Sequence, residues 1–193
     1  DVYKRQISGK NRAQIVIVTK CPQDIKPIDY NIITKRLNLY PYQQLYFSSF
    51  RYGNLQPVFP SVAPKADSLT NELPLSALVN TDILLVTGIA SPARMLEELK
   101  TYTDQIDLFS FEDHHHFNHR DMLQIKERFK RLKGEHKLIV TTEKDAVRIL
   151  NNPYFPIEMR SYIYFIPIRV TVNVNEDEFI HVLEAKINAP AEE

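Results

Sequence analysis

The stretch from residue 82 to residue 111, DILLVTGIASPARMLEELKTYTDQIDLFSF, decides the fold. It opens with an apolar run, Asp82 to Val86, that is typical of a buried strand. Ser91 and Pro92 then provide the residue types favoured at the N-cap and the first turn of a helix, and apolar residues follow at helical spacing. The aromatic-rich run Ile106 to Phe111 predicts a second strand. This order of strand, helix and strand is the βαβ unit of an α/β protein.

The same alternation of patterns continues on both sides of this stretch. The further predicted elements are strands at 13–18, 45–50, 55–59, 138–140 and 162–174, and helices at 27–39 and 118–132, after Thr142 and after Asn175. We therefore predict an α/β fold of three layers, α/β/α, with a mainly parallel sheet. Tyr52, Gly53 and Asn54 have the composition of a tight turn, which predicts a β-hairpin arm between residues 45 and 59. Pro57 within that arm is expected only at a sheet edge or a bulge.

The composition predicts one globular domain in a reducing compartment. The chain has 193 residues, of which 44% are hydrophobic and 25% charged. We assign residues 9–188 to a single α/β domain, residues 1–8 to an unassigned leader and residues 189–193 to a tail. The formal net charge is zero, so no global attraction to nucleic acid is expected. Cys21 is the only cysteine, which excludes an internal disulfide and suits the cytoplasm.

The loop after the predicted strand at 106–111 is the first candidate for chemistry. Residues 111–117 read FEDHHHF, so Asp113 is followed directly by three histidines, His114, His115 and His116. In open parallel sheets the carboxyl ends of the strands face the ligand-binding crevice, and imidazole titrates near neutral pH. Three consecutive residues cannot all point the same way, and no metal site is predicted from this spacing. The Asp113-His114 pair is the preferred catalytic candidate.

A second candidate segment, TTEKD at residues 141–145, comes at the end of a later strand. Thr142 has two interpretations: a residue of the site, or an N-cap followed by Glu143 and Asp145 in the first turn of a helix. Lys144 in that turn opposes the helix dipole, which favours an anionic partner such as a phosphate or a carboxylate. We expect the loops that begin at Thr19, Thr87, Asp113 and Thr141 to meet along one rim of a parallel sheet.

Phosphate-binding loops are absent from the sequence. It contains neither Gly-x-x-x-x-Gly-Lys-Ser/Thr nor Gly-x-Gly-x-x-Gly, and only four glycines occur. The chain therefore lacks the usual means of holding a triphosphate.

Four segments in order resemble the tetraacyldisaccharide 4'-kinase (lipid A 4'-kinase) family: Arg12-Ala13 with TKCP at 19–22, GIASP at 88–92, FEDHHHF at 111–117 and TTEKDAVR at 141–148. The resemblance spans roughly residues 9–187 and concerns only the C-terminal half of the family. It implies transfer of the ATP γ-phosphoryl group to a lipid A disaccharide precursor at the cytoplasmic face of the inner membrane.

The resemblance also implies roles for individual residues. His114, supported by Asp113, would reach the catalytic aspartate of the N-terminal half, with His115 as the second choice. The cleft for substrate or nucleotide would be shaped by the residues Thr142, Glu143, Lys144, Asp145 and His115. The N-terminal phosphate-loop domain, which would bind most of the ATP and Mg²⁺, is not in this sequence. We therefore expect the chain to be a fragment that is inactive alone.

Two other functions remain open from the residues alone. Asp-His-His at a strand end also marks a type of metal-dependent phosphoesterase, although two-metal catalysis needs several further carboxylates. Metal analysis of the purified protein distinguishes that possibility. A non-catalytic α/β binding module is the third interpretation, consistent with the neutral charge and the missing phosphate loop.

Overall fold

The computed structural model describes residues 8–62, 71–173 and 175–188. The chain divides into two compact units, one comprising Asp1–Arg51 with Arg169–Glu193 and the other comprising Tyr52–Ile168. The single domain predicted over residues 9–188 stays a prediction. The predicted tail, 189–193, and the predicted leader up to residue 7 lie outside the described residues.

Strands and helices alternate along most of the described chain, so the predicted α/β class is confirmed. The strands are β1 (Ile15–Cys21), β2 (Gln44–Tyr52), β3 (Gln56–Pro57), β4 (Asp82–Thr87), β5 (Ile106–Ser110), β6 (Lys137–Thr142), β7 (Ile163–Ile166) and β8 (Ile168–Val172). The α-helices are α1 (Pro27–Leu37), α2 (Ala93–Lys100), α3 (His119–Arg131), α4 (Glu143–Leu150) and α5 (Glu176–Ile187).

The unit of residues 52–168 is built on a five-stranded sheet of order β3-β7-β6-β4-β5. Strands β5, β4, β6 and β7 pair in parallel, whereas β3 runs antiparallel to β7 at the edge. This confirms the mainly parallel sheet. Pro57 lies in the edge strand, where its missing N–H leaves no ladder bond unmade.

Helices cover both faces of this sheet and give the predicted three layers. Leu84 and Val86 of β4 pack in one core cluster with residues of α3 and α4. The alternate residues Ile83 and Leu85 pack in a second cluster with Met95 and other residues of α2 and a 3-10 helix. Alternation along β4 explains this division because successive strand side chains point to opposite faces. Burial of each such side chain stabilises the fold by about 1.5–3 kcal/mol.

The predicted β-hairpin arm is wrong. Strand β2 pairs within a sheet of order β1-β2-β8, whereas β3 pairs with β7 in the five-stranded sheet. Residues 53–55 therefore connect two sheets, and the Gly53 N–H donates to the carbonyl of Pro167 at 2.9 Å instead of closing a hairpin. The long strand predicted at 162–174 likewise divides at Pro167 into β7 and β8, which belong to different sheets.

The other unit contains β1, β2 and β8, with β1 parallel to β2, together with α1 and α5. The spacing of Asn175 and Glu178 predicts a capping box at the start of its last helix, but the helix begins without one. The backbone of Asn175 is left-handed (φ 57°), and its side chain donates to Glu178 instead of capping the helix. Cys21 is buried, as expected for a small apolar side chain.

None of the helices in the described part of the chain is both long enough and apolar enough to cross a membrane.

Candidate functional site

Three of the four predicted loops meet at the carboxyl edge of the five-stranded sheet. The Phe111 N–H after β5 donates to the carbonyl of Thr87 at the end of β4, at 2.7 Å. The Gly88 N–H after β4 donates to the side chain of Asp145, which follows β6, at 2.8 Å. The expectation that Thr19 joins them on one rim is wrong, because β1 belongs to the other sheet.

Helix α3 after the histidine loop begins at a complete capping box. The side chain of Asn118 accepts from the Asp121 N–H at 3.1 Å, and the side chain of Asp121 accepts from the Asn118 N–H at 2.8 Å. These reciprocal bonds satisfy two amide groups that the helix leaves free. The cap therefore fixes where the loop ends and α3 begins.

His114 lies at the exposed tip of the loop. Its side chain is 74% exposed, and its backbone is left-handed, with φ at 64°. The neighbouring Asp113 carboxylate accepts from the His114 backbone N–H at 3.0 Å and lies 3.5 Å from the His114 imidazole Nε2. The structure thus brings the Asp113-His114 pair together, with the imidazole directed to the surface.

Lys144 connects the histidine loop to α4. Its ammonium group donates to Asp113 Oδ1 at 3.1 Å. This hydrogen bond, joined by the charges of His114 and Lys144, lowers the pKa of Asp113 below its usual 3.8. The anionic partner predicted for Lys144 is therefore supplied within the chain. An ion pair this exposed contributes little to stability, so its effect is mainly on the position of the loop.

His115 points into the protein, unlike its neighbour. Its Nε2 lies 2.8 Å from Asp121 Oδ2, and its side chain is 27% exposed. The ring stacks on Phe111, with centroids 4.6 Å apart, and meets Phe117 edge-on at 5.4 Å. His116, by contrast, is exposed. Of the three consecutive histidines, His115 is thus half-buried, whereas His114 and His116 are exposed.

Asp145 is the buried centre of the second predicted segment. Its carboxylate accepts from the Gly88 N–H, from the Thr142 hydroxyl at 2.7 Å and from Arg148 at 3.1 Å. Its own N–H donates to the Thr142 hydroxyl at 3.1 Å, so Thr142 is the N-cap of α4. The N-cap interpretation of Thr142 is confirmed. Glu143 is exposed beside this network.

The predicted site residues therefore divide into two groups. Asp113, His114, Glu143 and Lys144 are exposed at the rim, whereas Thr142 and Asp145 are buried and His115 is half-buried. The roles of Thr142, Asp145 and His115 in shaping a cleft stay predictions, and their contacts link the loops to one another.

Sequence reasoning missed three residues that hold the site together. Asp121 binds His115, Arg148 binds Asp145, and Gly88 leaves space for the Asp145 carboxylate. A Cβ added to Gly88 would lie 3.1 Å from Asp145 Oδ1. Asp121 has a local signal in the sequence, its capping-box distance from Asn118. Gly88 and Arg148 lie in the quoted segments 88–92 and 141–148, but their contacts with Asp145 depend on tertiary structure.

Among residues 8–62, 71–173 and 175–188, no three His, Cys, Asp or Glu side chains are arranged to hold a metal ion. A cavity of ≈ 430 Å³ is lined by His136, Lys137, Tyr162 and further residues at the amino ends of β6 and β7. That cavity lies at the opposite end of the strands from the histidine loop.

Known proteins resemble the chain over most of its length. The sequence model of a family described as tetraacyldisaccharide-1-P 4'-kinase matches residues 4–188. A tetraacyldisaccharide 4'-kinase of Bacteroides thetaiotaomicron is 73% identical over 175 residues, which are 91% of this chain and 46% of the relative. No solved structure matches the chain significantly.

More distant relatives carry the same name. The protein of Bacteroides fragilis strain YCH46 is 56% identical over 176 residues, which are 91% of this chain and 46% of the relative. That of Porphyromonas gingivalis strain ATCC 33277 is 35% identical over 175 residues, 86% of this chain and 44% of the relative. The chain thus spans about half the length of the curated relatives it matches.

Proposed function

Because the chain belongs to the tetraacyldisaccharide 4'-kinase family, we propose that it forms part of an enzyme that phosphorylates a lipid A precursor. The ATP γ-phosphoryl group would pass to the 4'-hydroxyl of a tetraacyldisaccharide 1-phosphate. The hydroxyl oxygen forms the new P–O bond, the bond to ADP breaks, and the hydroxyl proton goes to a base. The reaction would take place at the cytoplasmic face of the inner membrane.

The observation that carries this proposal is the exposed His114 at the carboxyl edge of a parallel sheet. Its imidazole is 74% exposed and has Asp113 beside it, while Lys144 binds Asp113 from the other side. An exposed imidazole at this rim is available to a carboxylate base from the remainder of the protein. His114 would orient or tune that base, and Asp113 would support His114.

ATP is the proposed phosphoryl donor, and Mg²⁺ would neutralise charge on its phosphates. Phosphoryl transfer depends chiefly on positioning and on stabilisation of charge. Lys144 is the described residue of the rim best suited by charge to an anionic group, but its ammonium group is engaged by Asp113. With no phosphate loop in the sequence, we assign most of the nucleotide and Mg²⁺ contacts to the remainder of the full-length protein.

The test replaces two neighbouring exposed histidines in the full-length enzyme. His114→Ala should lower kcat by ~10²–10⁴, the span expected for an acid–base participant. His116→Ala is the matched control, because it removes an exposed imidazole two residues away, and it should change kcat much less. Steady-state phosphoryl transfer and a thermal melt are measured for each. Equal losses at both positions, or a loss that follows a collapsed melting transition, would contradict the proposal.

A further inference from the structure

The backbone of His114 needs its surroundings to keep its conformation. A φ of 64° is uncommon for a residue with a Cβ, because the side chain then crowds the following carbonyl oxygen. Such a conformation persists where neighbouring contacts determine it, and it is frequent at functional sites. The contacts on either side of His114 therefore decide where its imidazole lies.

On the N-terminal side, Asp113 holds the loop. Its carboxylate accepts from the His114 N–H at 3.0 Å and from Lys144 of α4 at 3.1 Å. Both Asp113 and Lys144 are exposed, so water and salt compete with this anchor. A second anchor on the other side of His114 is needed to fix the loop.

That second anchor is His115. Its Nε2 lies 2.8 Å from Asp121 Oδ2, and the rings of Phe111 and Phe117 pack against the imidazole. Its backbone N–H donates to the carbonyl of Glu112 at 3.2 Å, which closes the turn around His114. These contacts hold ring and backbone together, so His115 has little freedom to rotate.

The acceptor of this bond is itself fixed. Asp121 is buried, and the same oxygen that meets His115 also accepts from the Asn118 N–H at 2.8 Å. The Asp121 N–H in turn donates to the Asn118 side chain. His115 is thereby connected to the first turn of α3, whose Met122 and Ile125 are fully buried in the core. The chain of contacts runs from the core to the residue next to His114.

We propose that His115 is a positioning residue, whose bond to Asp121 holds His114 in its left-handed conformation with the imidazole at the rim. The inference rests on the proposed function only in that His114 is taken to act in phosphoryl transfer. In this role His115 acts through His114 and does not contact the substrate. The His115 ring is stacked on Phe111, and its Nε2 is already bound to Asp121, so that nitrogen is not available to a ligand.

The test replaces His115 in the full-length enzyme, first with His114 intact and then with His114 already changed to alanine. His115→Phe keeps an aromatic ring against Phe111 but removes the bond to Asp121, and should lower kcat by ~10–10²-fold, the effect of a displaced catalytic group. The KM for Mg-ATP should stay within about threefold, because the change does not remove a binding contact. His115→Gln places an amide donor near the position of Nε2 and should recover most of the loss.

The deciding comparison is the double variant. A positioning residue acts through His114, so His115→Phe should lower kcat no more than about twofold when His114 is already alanine. His116→Phe, the same ring exchange at the exposed neighbour, should leave kcat within about twofold in the wild-type background. His115→Leu also lacks a donor and supplies the same comparison where the Phe variant does not fold.

The outcomes separate this inference from the proposed function. Equal losses from His115→Phe in both backgrounds, or no loss in the wild-type background while His114→Ala is strongly impaired, would overturn the positioning role. An unimpaired His114→Ala enzyme would instead overturn the function proposed for His114. Loss at His115 that depends on an intact His114 supports both.

Discussion

The backbone amide of Gly88 donates to the buried carboxylate of Asp145 at 2.8 Å and joins the end of β4 to the first turn of α4. Asp145 is fully buried and also accepts from Thr142 at the end of β6 and from Arg148 of α4. A buried carboxylate is tolerated only when it is paired and hydrogen-bonded, and Asp145 meets both conditions. This contact holds two of the three loops at the rim together.

Replacement of the buried Asp145 should lower the stability of the protein. Asp145→Ala leaves the Gly88 N–H, the Thr142 hydroxyl and Arg148 without their acceptor, and should reduce the free energy of unfolding by about 3 kcal/mol. Urea denaturation followed by circular dichroism measures the change. Glu143→Ala, an exposed position two residues earlier in the same helix, is the control and should stay within about 0.5 kcal/mol. Similar stability of both variants would contradict the structural role of Asp145.

A side chain at Gly88 should disturb the same contact from the other side. In Gly88→Ala the new Cβ would lie 3.1 Å from Asp145 Oδ1 and 3.6 Å from the Glu112 carbonyl, so the carboxylate must move. The expected loss is about 1–2 kcal/mol, the usual cost of overpacking. Gly9→Ala is the matched control because nothing lies within 4 Å of the position that its new methyl group would take, and it should be nearly neutral. Equal melting temperatures for the two variants would show that the methyl group at position 88 does not clash with Asp145.

The ion pair between Asp113 and Lys144 gives a pH-dependent prediction. Because the hydrogen bond from Lys144 lowers the pKa of Asp113 in the folded protein, ionised Asp113 favours folding above its usual pKa of 3.8. This contribution is lost as the pH falls through the lowered, folded-state pKa. Lys144→Met should raise the pKa of Asp113 toward 3.8. Carbon-13 NMR titration of the side-chain carboxylates measures it, and Lys144→Arg, which keeps the charge, should shift the pKa less. An unchanged pKa in Lys144→Met would contradict this pairing.

The isolated chain should separate folding from nucleotide binding. Residues 9–187 should unfold cooperatively yet show no kinase activity and only weak binding of Mg-ATP, because the sequence contains no glycine-rich phosphate loop. Calorimetric titration of the 193-residue chain with Mg-ATP is the direct measurement. A micromolar dissociation constant, which corresponds to a binding free energy of about −8 kcal/mol, would reveal a nucleotide site within this chain. If the isolated chain is inactive as expected, addition of the remainder of the full-length protein in trans should restore weak turnover.

Local patterns were sufficient to predict most elements and two helix starts. The strand at Asp82–Thr87 and the helix at His119–Arg131 agree with their predicted positions to within about two residues, because hydrophobic periodicity acts along a single element. Asn118 and Thr142 both cap helices through bonds that reach only three residues along the chain. The same local cap pattern was misleading at Asn175, whose left-handed backbone turns its side chain away from the helix.

Tertiary structure alone decided which elements pair and which of the three histidines faces inward. A turn-like sequence around Gly53 predicts a hairpin, but the partners of β2 and β3 are distant strands, and strand pairing is a non-local choice that turn composition cannot specify. Gly88 and Asp145 are 57 positions apart in the chain, and the sequence around either residue does not predict their contact. His114, His115 and His116 have the same side chain. Asp121 and the rings of Phe111 and Phe117 hold His115 inward, and that leaves His114 at the surface, because only packing in three dimensions gives identical neighbours different surroundings.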